Sequence, residues 1–241
     1  MKKMIAQLRT VSRWKTPLGT PTNPSSFHLL AGLLLATTMW AQGAPAPKRE
    51  SAGSIPEPVH TDVFRAGTDG YHSYRIPSVI VTLKGTLLAF CEGRKVSARD
   101  QSPTDMVLKR SVDGGATWGP MQIVAKGGQD AAMNPCPVVD RTTGIIWLVY
   151  DRWPEGFQGK SIVGLGPDAV SCWVTHSADD GVTWSEPVNI TQTTKKPHWT
   201  GVAHGPGIGI QTRSGRLVIP TNQHLESHSG NSRCTITYSD D

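Results

Sequence analysis

An eight-residue pattern that occurs twice constrains this chain more than any other feature of it. Ser111-Val112-Asp113-Gly114-Gly115-Ala116-Thr117-Trp118 and Ser177-Ala178-Asp179-Asp180-Gly181-Val182-Thr183-Trp184 both fit S-x-D-x-G-x-T-W, and Ser239-Asp240-Asp241 opens a third copy. The starts lie 66 and then 62 residues apart, and each copy follows a strand-like run. A unit of that length with one hairpin turn is the signature of a four-stranded propeller blade. The turn chemistry explains the pattern. The Asp side chain accepts backbone N–H groups of the turn that follows it. Gly115 and Gly181 take the positive φ that a Cβ would resist. Thr117 and Thr183 begin the return strand, and Trp118 and Trp184 are expected to bury their rings between strands of their own blade. Ser111, Asp113, Ser177 and Asp179 are therefore turn-formers, not candidate acids.

The rest of the mature chain agrees with an all-β class. Short runs rich in Val, Ile, Leu, Thr and aromatics are separated by Gly, Pro, Asp and Asn. The expected strands are Ser78–Leu83, Thr86–Cys91, Met106–Arg110, Ile145–Tyr150, Ser171–His176, Gly207–Thr212, Arg216–Pro220 and Cys234–Tyr238. Thr221–Asn231 reads as loop, so His224 and His228 do not share a helical face. Nothing after the leader holds a helical period for three turns.

Residues 1–43 are set apart as a signal peptide. Lys2, Lys3, Arg9, Arg13 and Lys15 precede an apolar core of 13 residues, Leu29–Ala41, and Ala41-Gln42-Gly43 before Ala44 is the expected cleavage site. The core is too short for a stable membrane span, which needs about 20 apolar residues, so the product is expected to be secreted or periplasmic. Residues 44–60, rich in Pro, Ala, Gly and Ser, read as a linker, leaving 61–241 as the folded domain. Removing the leader takes five basic residues and no acid, and the formal charge falls from +5 to zero. With no Lys/Arg cluster beyond pairs such as Lys195-Lys196, nucleic acid is disfavoured as a partner. Cys91, Cys136, Cys172 and Cys234 contain no CxxC and lie in or beside apolar stretches, which suits buried free thiols. Export would still permit a disulfide. No metal-ligand set, phosphate loop or G-x-S-x-G elbow occurs.

The octets are Asp-boxes, and the chain around them resembles the sialidases of bacteria. Tyr74-Arg75-Ile76-Pro77 looks like the Arg-Ile-Pro motif of the first blade, with Tyr where Phe is commoner. Cys91-Glu92-Gly93-Arg94, Asp100, and Asp105-Met106-Val107-Leu108-Lys109-Arg110-Ser111 resemble the next family segment. Asn134-Pro135-Cys136-Pro137 and His204-Gly205-Pro206-Gly207 are similar to further stretches. The resemblance implies a six-bladed β-propeller of which about three blades are present. It also implies an exo-glycosidase that hydrolyses terminal sialic acid from glycans or glycolipids such as gangliosides, without a cofactor. A non-catalytic Asp-box propeller that binds glycans or proteins is the alternative.

A sialic acid carries a carboxylate at its anomeric carbon, and the planar donors of Arg suit such a group. The resemblance makes Arg75 one of three carboxylate-gripping arginines and Arg94 a secondary ligand. It makes Asn134 a contact to the sugar's polar edge and Asp100 the acid/base catalyst. Asp100 lies in a polar loop at the matching position, and Asp105 is its competitor, with the plainer role of bonding the start of the next strand. Sialidases use a Tyr nucleophile in place of a second carboxylate. In the family that Tyr, its Glu and two more arginines come later, and Tyr71, Tyr74, Tyr150 and Tyr238 match none of those positions. The isolated chain is accordingly expected to be unstable and to lack hydrolytic activity.

Overall fold

Strand alternation sends successive side chains to opposite faces, so a strand covered on both sides reads as an unbroken apolar run. Ile146-Trp147-Leu148-Val149-Tyr150 is such a run, and its residues divide between two cores. Trp147 and Val149 join Cys136, Val138, Cys172, Val174, Val202 and Ile219 in one. Ile146, Leu148 and Tyr150 join Leu88, Phe90, Met106 and Leu108 in the other. Cores therefore lie between neighbouring sheets, as blade-on-blade packing demands.

The computed structural model describes residues 9–11, 57–100, 102–156, 162–224 and 232–240. Residues 1–13 with 61–241 form one compact unit and 14–60 a second, of which the described residues 57–60 are exposed and without regular structure. Apart from Arg9–Val11 and 57–60, the expected leader and linker lie outside the described residues. β1 (Arg9–Val11) pairs antiparallel with β13 (Ser232–Ser239). The first blade is β2 (Ser73–Val81), β3 (Leu87–Arg94), β4 (Thr104–Ser111) and β5 (Gln122–Ala125), all antiparallel. The second is β6 (Ala131–Val139), β7 (Ile146–Trp153), β8 (Ser171–Ser177) and β9 (Val188–Asn189). The two share one parallel backbone pair, Thr104↔Ala131. A short helix, α1 (Thr191–Thr194), leads to the third blade: β10 (Gly201–His204), β11 (Ile210–Gln211), β12 (Leu217–His224) and β13. The regular structure of the described residues is thus nearly all β, in three consecutive blades.

Both boxes fold as their chemistry requires. Ser111 Oγ donates to Asp113 Oδ1 at 2.7 Å and accepts from Gly115 N at 2.8 Å, while Thr117 N donates to Asp113 Oδ1 at 2.9 Å. The second box repeats these contacts through Ser177, Asp179, Gly181 and Thr183, each at 2.8 Å. Gly115 and Gly181 hold φ of 93° and 78°. The expectation for Trp184 needs correction. Its ring meets Phe90 of the first blade edge-on, with centroids 5.6 Å apart. Beside it, Asp180 Oδ2 accepts from Thr86 Oγ1 at 2.6 Å and pairs with Arg110 at 3.2 Å. The second box therefore binds its blade to the preceding one. Trp118 is only partly buried.

The box carboxylates also set an acid limit. Hydrogen bonds from the Thr117 hydroxyl, the Thr117 N–H and Ser111 draw Asp113 down to about 2. A depressed carboxyl contributes stability above its unfolded value and loses it as pH falls through the folded one. Thermal stability should therefore drop between about pH 4 and pH 2. Asp113→Asn should flatten that part of a melting-temperature profile. An unchanged profile would show that the box does not couple to folding.

The inner strand of each blade departs from the expected pattern. β2 shifts register between Arg75 and Ser78, and β6 between Met133 and Cys136. At each bulge the residue before a proline stands at positive φ, Ile76 at 55° and Asn134 at 57°. The third blade breaks at the corresponding Gly205-Pro206, with Gly205 at 80°. β6 was not among the expected strands because it holds Pro135 and Pro137. An innermost strand tolerates them because one of its edges lacks a ladder partner. β5, β9 and β10 are too short to stand out, and Gly207–Thr212 is a strand only over Ile210–Gln211. Gly209 presses on Ile219 and Val138, where a Cβ would come within 2.5 and 2.9 Å. Thr221–His224 belongs to β12 and not to a loop; His228 lies outside the described residues.

Candidate active site

The ends of β2, β3, β6 and β7 that lie away from the boxes, together with His204 on β10, bring together polar residues of all three blades. Arg75 precedes the bulge of β2 and pairs in register with Glu92 of β3. The thiol of Cys91 donates to the Arg75 carbonyl, holding the bulge closed from the neighbouring strand. Arg94 follows Glu92 by two and shares its face. Both side chains are wholly buried, and Arg94 Nη2 and Nε reach Glu92 Oε2 at 2.6 and 3.0 Å. A third nitrogen, Nη1, donates to the Ala98 carbonyl and anchors the 95–103 loop two residues before Asp100.

That loop delivers Asp100. Its Oδ1 stands 2.9 Å from Arg75 Nη1 and 2.8 Å from Arg94 Nη2, so two guanidinium groups converge on one oxygen. Arg75 and Asp100 are half exposed, at 47% and 48%, whereas Arg94 is at 0%. Arg75 can thus turn to a ligand, whereas Arg94 is held by Glu92, Asp100 and the Ala98 carbonyl. Asp105, the competing carboxylate, lies elsewhere. It accepts from Tyr71 Oη and Gly127 N, both at 2.8 Å, and pairs with Lys95 at 2.9 Å, which ties β4 to its surroundings.

Asn134 joins the cluster from the second blade. Its backbone N–H donates to Glu92 Oε1 at 2.9 Å, so one buried carboxylate holds both Arg94 and the bulge of β6. Burial is the largest influence on Glu92 and pushes its carboxyl up, opposed by the Asn134 and Arg94 hydrogen bonds. The Asn134 amide reaches Asp151 Oδ2 at 3.2 Å, and Asp151 Oδ1 lies 2.7 Å from His204 Nδ1. Sequence reasoning gave no role to Glu92, Asp151 or His204. Glu92 could have been found from its place two residues before Arg94 on a strand. The Asp151–His204 pair spans 53 residues of sequence and left no local signal.

Asp151, Cys172 and His204 are the one grouping of metal-type ligands among the described residues, with ligand atoms within 4.8 Å of one another. The set does not suit a cation. Both Asp151 oxygens are already engaged, by His204 and Asn134, and burial pushes the Cys172 thiol up, keeping it protonated. Burial likewise pushes Cys136 up to about 12. Cys91, Cys136 and Cys172 are buried free thiols as expected, but Cys234 is exposed.

None of the four tyrosines has a free phenol facing Asp100. Tyr71 is held by Asp105, and Tyr74 donates to the Thr68 carbonyl at 3.0 Å. Tyr150 is buried, which pushes it up to about 12, and Tyr238 lies under Arg216 at 4.2 Å.

The BNR repeat-like domain family matches residues 85–241. A sialidase of Bacteroides fragilis (strain YCH46) is 37% identical over 192 residues, which is 73% of this chain and 35% of that protein. An exo-alpha-sialidase of Aspergillus fumigatus is 32% identical over 222 residues, 80% of this chain and 53% of its own length. Among solved structures, the Hadza microbial sialidase Hz136 superposes with a TM-score of 0.68 at 34% identity, covering 73% of this chain and 37% of that one. The chain thus spans between about a third and a half of the length of these curated relatives.

Proposed function

The chain belongs to the BNR-repeat sialidases, and on that premise we propose that Arg75, Arg94 and Asp100 form the carboxylate-gripping and proton-transferring part of an exo-sialidase site. The reaction is hydrolysis of terminal sialic acid from glycans or glycolipids. The observation that carries this reading is the convergence of Arg75 and Arg94 on Asp100 Oδ1, at 2.9 and 2.8 Å.

The two arginines divide the work. Arg94, buried and clamped by Glu92, holds Asp100 in place. Arg75 is accessible, and in the free protein Asp100 occupies the position in which a ligand carboxylate would meet its guanidinium. A bound sialic acid sets its own carboxylate against Arg75, next to the Asp100 carboxylate that Arg94 also holds, and the two negative charges repel. A proton on Asp100 relieves that repulsion, and a protonated carboxyl is the form that can donate to the leaving glycosidic oxygen. Water then returns a proton to Asp100 as the sugar is released. Asn134, at the bulge of the second blade, presents an amide to the polar edge of the sugar. The nucleophilic Tyr of the family has no counterpart among Tyr71, Tyr74, Tyr150 and Tyr238, so these residues account for one part of the chemistry.

That observation favours one other reading, glycan binding without turnover. Asp100→Ala, made in the complete protein, separates the two. If the protein is an enzyme, release of sialic acid from sialyllactose falls by at least about a hundredfold, while sialic acid still binds. If the complete wild-type protein, with the nucleophile present, binds sialic acid but releases none, the binding reading stands and the hydrolytic one is lost.

A further inference from the structure

Asp151 and His204 are both fully buried, yet neither touches Arg75, Arg94 or Asp100. Burying a carboxylate costs several kcal/mol unless its partners are well placed, and an apolar pair would fill the same space more cheaply. The partners here are unusually complete. Asp151, on β7, accepts from the His204 backbone N–H at 2.8 Å, meets His204 Nδ1 at 2.7 Å, and accepts from the Asn134 amide at 3.2 Å. His204, on β10, reaches Thr237 Oγ1 of β13 through Nε2 at 3.3 Å. One carboxylate therefore joins the broken inner strand of the third blade to the bulge of the second.

The surrounding charges leave Asp151 this role. Lys195 is buried, but its ammonium donates to the Val170 carbonyl at 3.0 Å and the Thr200 carbonyl at 3.5 Å. The thiols of Cys136 and Cys172 are neutral, and Glu92 is committed to Arg94 and the Asn134 backbone. Asn134 stands at a φ of 57°, which a residue other than Gly keeps only when its surroundings over-determine it. Glu92 fixes its backbone and Asp151 its side chain.

We infer that Asp151 and His204 are a positioning pair: they turn the Asn134 amide nitrogen inward, so that its carbonyl oxygen is the group offered to a hydroxyl of the bound sugar. The inference rests on the sialidase reading for the identity of the ligand, but the coupling among Asp151, His204 and Asn134 does not.

The test uses the full chain and two measurements. Asp151→Asn should weaken binding of sialic acid by up to about tenfold, the worth of one neutral hydrogen bond between the Asn134 carbonyl and a sugar hydroxyl. In an Asn134→Ala background it should have no further effect, since the pair acts through Asn134. In the free protein, hydrogen exchange followed by NMR should be at least about tenfold faster at the Asn134 side-chain amide and the His204 backbone amide, with the β3–β4 amides unchanged. His204→Asn, whose amide can place an N–H where Nδ1 stands, should keep both properties, and His204→Leu should lose them. Those two variants serve if Asp151→Asn does not fold. Additive effects in the double variant, or unaltered exchange at Asn134, would overturn the pair. A wild-type protein that does not bind sialic acid would refute the proposed function, and exchange at Asn134 would still decide the positioning pair.

Discussion

Replacing Glu92 by Ala is expected to cost about 3–5 kcal/mol of folding stability, the usual effect of breaking a buried ion pair. Glu92 and Arg94 are both at 0% exposure, so the substitution leaves a guanidinium in the interior with only Asp100 and the Ala98 carbonyl. It also strips the Asn134 N–H of its acceptor. Domains of this kind are stable by about 5–15 kcal/mol in all, so the loss is a large part of the total. The double variant Glu92→Leu/Arg94→Met removes both charges, and it should melt higher than Glu92→Ala alone. Urea denaturation of the three proteins checks this. A double variant less stable than the single one would mean that the pair stabilises the fold outright and not merely through each partner satisfying the other.

Arg75→Ala is expected to do the reverse: little to stability, much to binding. Its pair with Asp100 is about half exposed, and such pairs are worth up to about 1 kcal/mol. A charge-assisted contact to a ligand carboxylate is worth about 1.5–3 kcal/mol, so affinity for sialic acid should fall by roughly 10- to 150-fold. Arg75→Lys should recover only part of it, because an ammonium lacks the planar fork. Calorimetric titration together with a melting curve separates the two effects. Equal losses in both would make Arg75 a structural residue.

The parts of the fold that can be read from the sequence are those whose chemistry is local. The box turns close within eight residues, from Ser111 to Trp118 and from Ser177 to Trp184, so side-chain type alone announces them. Runs such as Ile146–Tyr150 are visible because both faces are buried. β6 was hidden because Pro135 and Pro137 contradict ordinary strand chemistry, and the exception depends on its place at the inner edge of a blade. The Trp184–Phe90 contact and the Asp151–His204 pair join different blades, and no window of sequence contains both partners. Arg75, Arg94 and Asp100 were picked out through motif resemblance, and the fold brings them together. What the motif did not disclose is the difference between the wholly buried Arg94 and the accessible Arg75.

The central claim is that Arg75 receives the carboxylate of a sialic acid. The most direct measurement is an NMR titration of protein with labelled arginine side chains, run in parallel with sialic acid and its methyl ester. The Arg75 Nε resonance should move on addition of the acid and stay in place with the ester, and Arg94 should respond less because Glu92 holds it. Equal shifts with acid and ester, or no shift at Arg75 with either, would contradict the account.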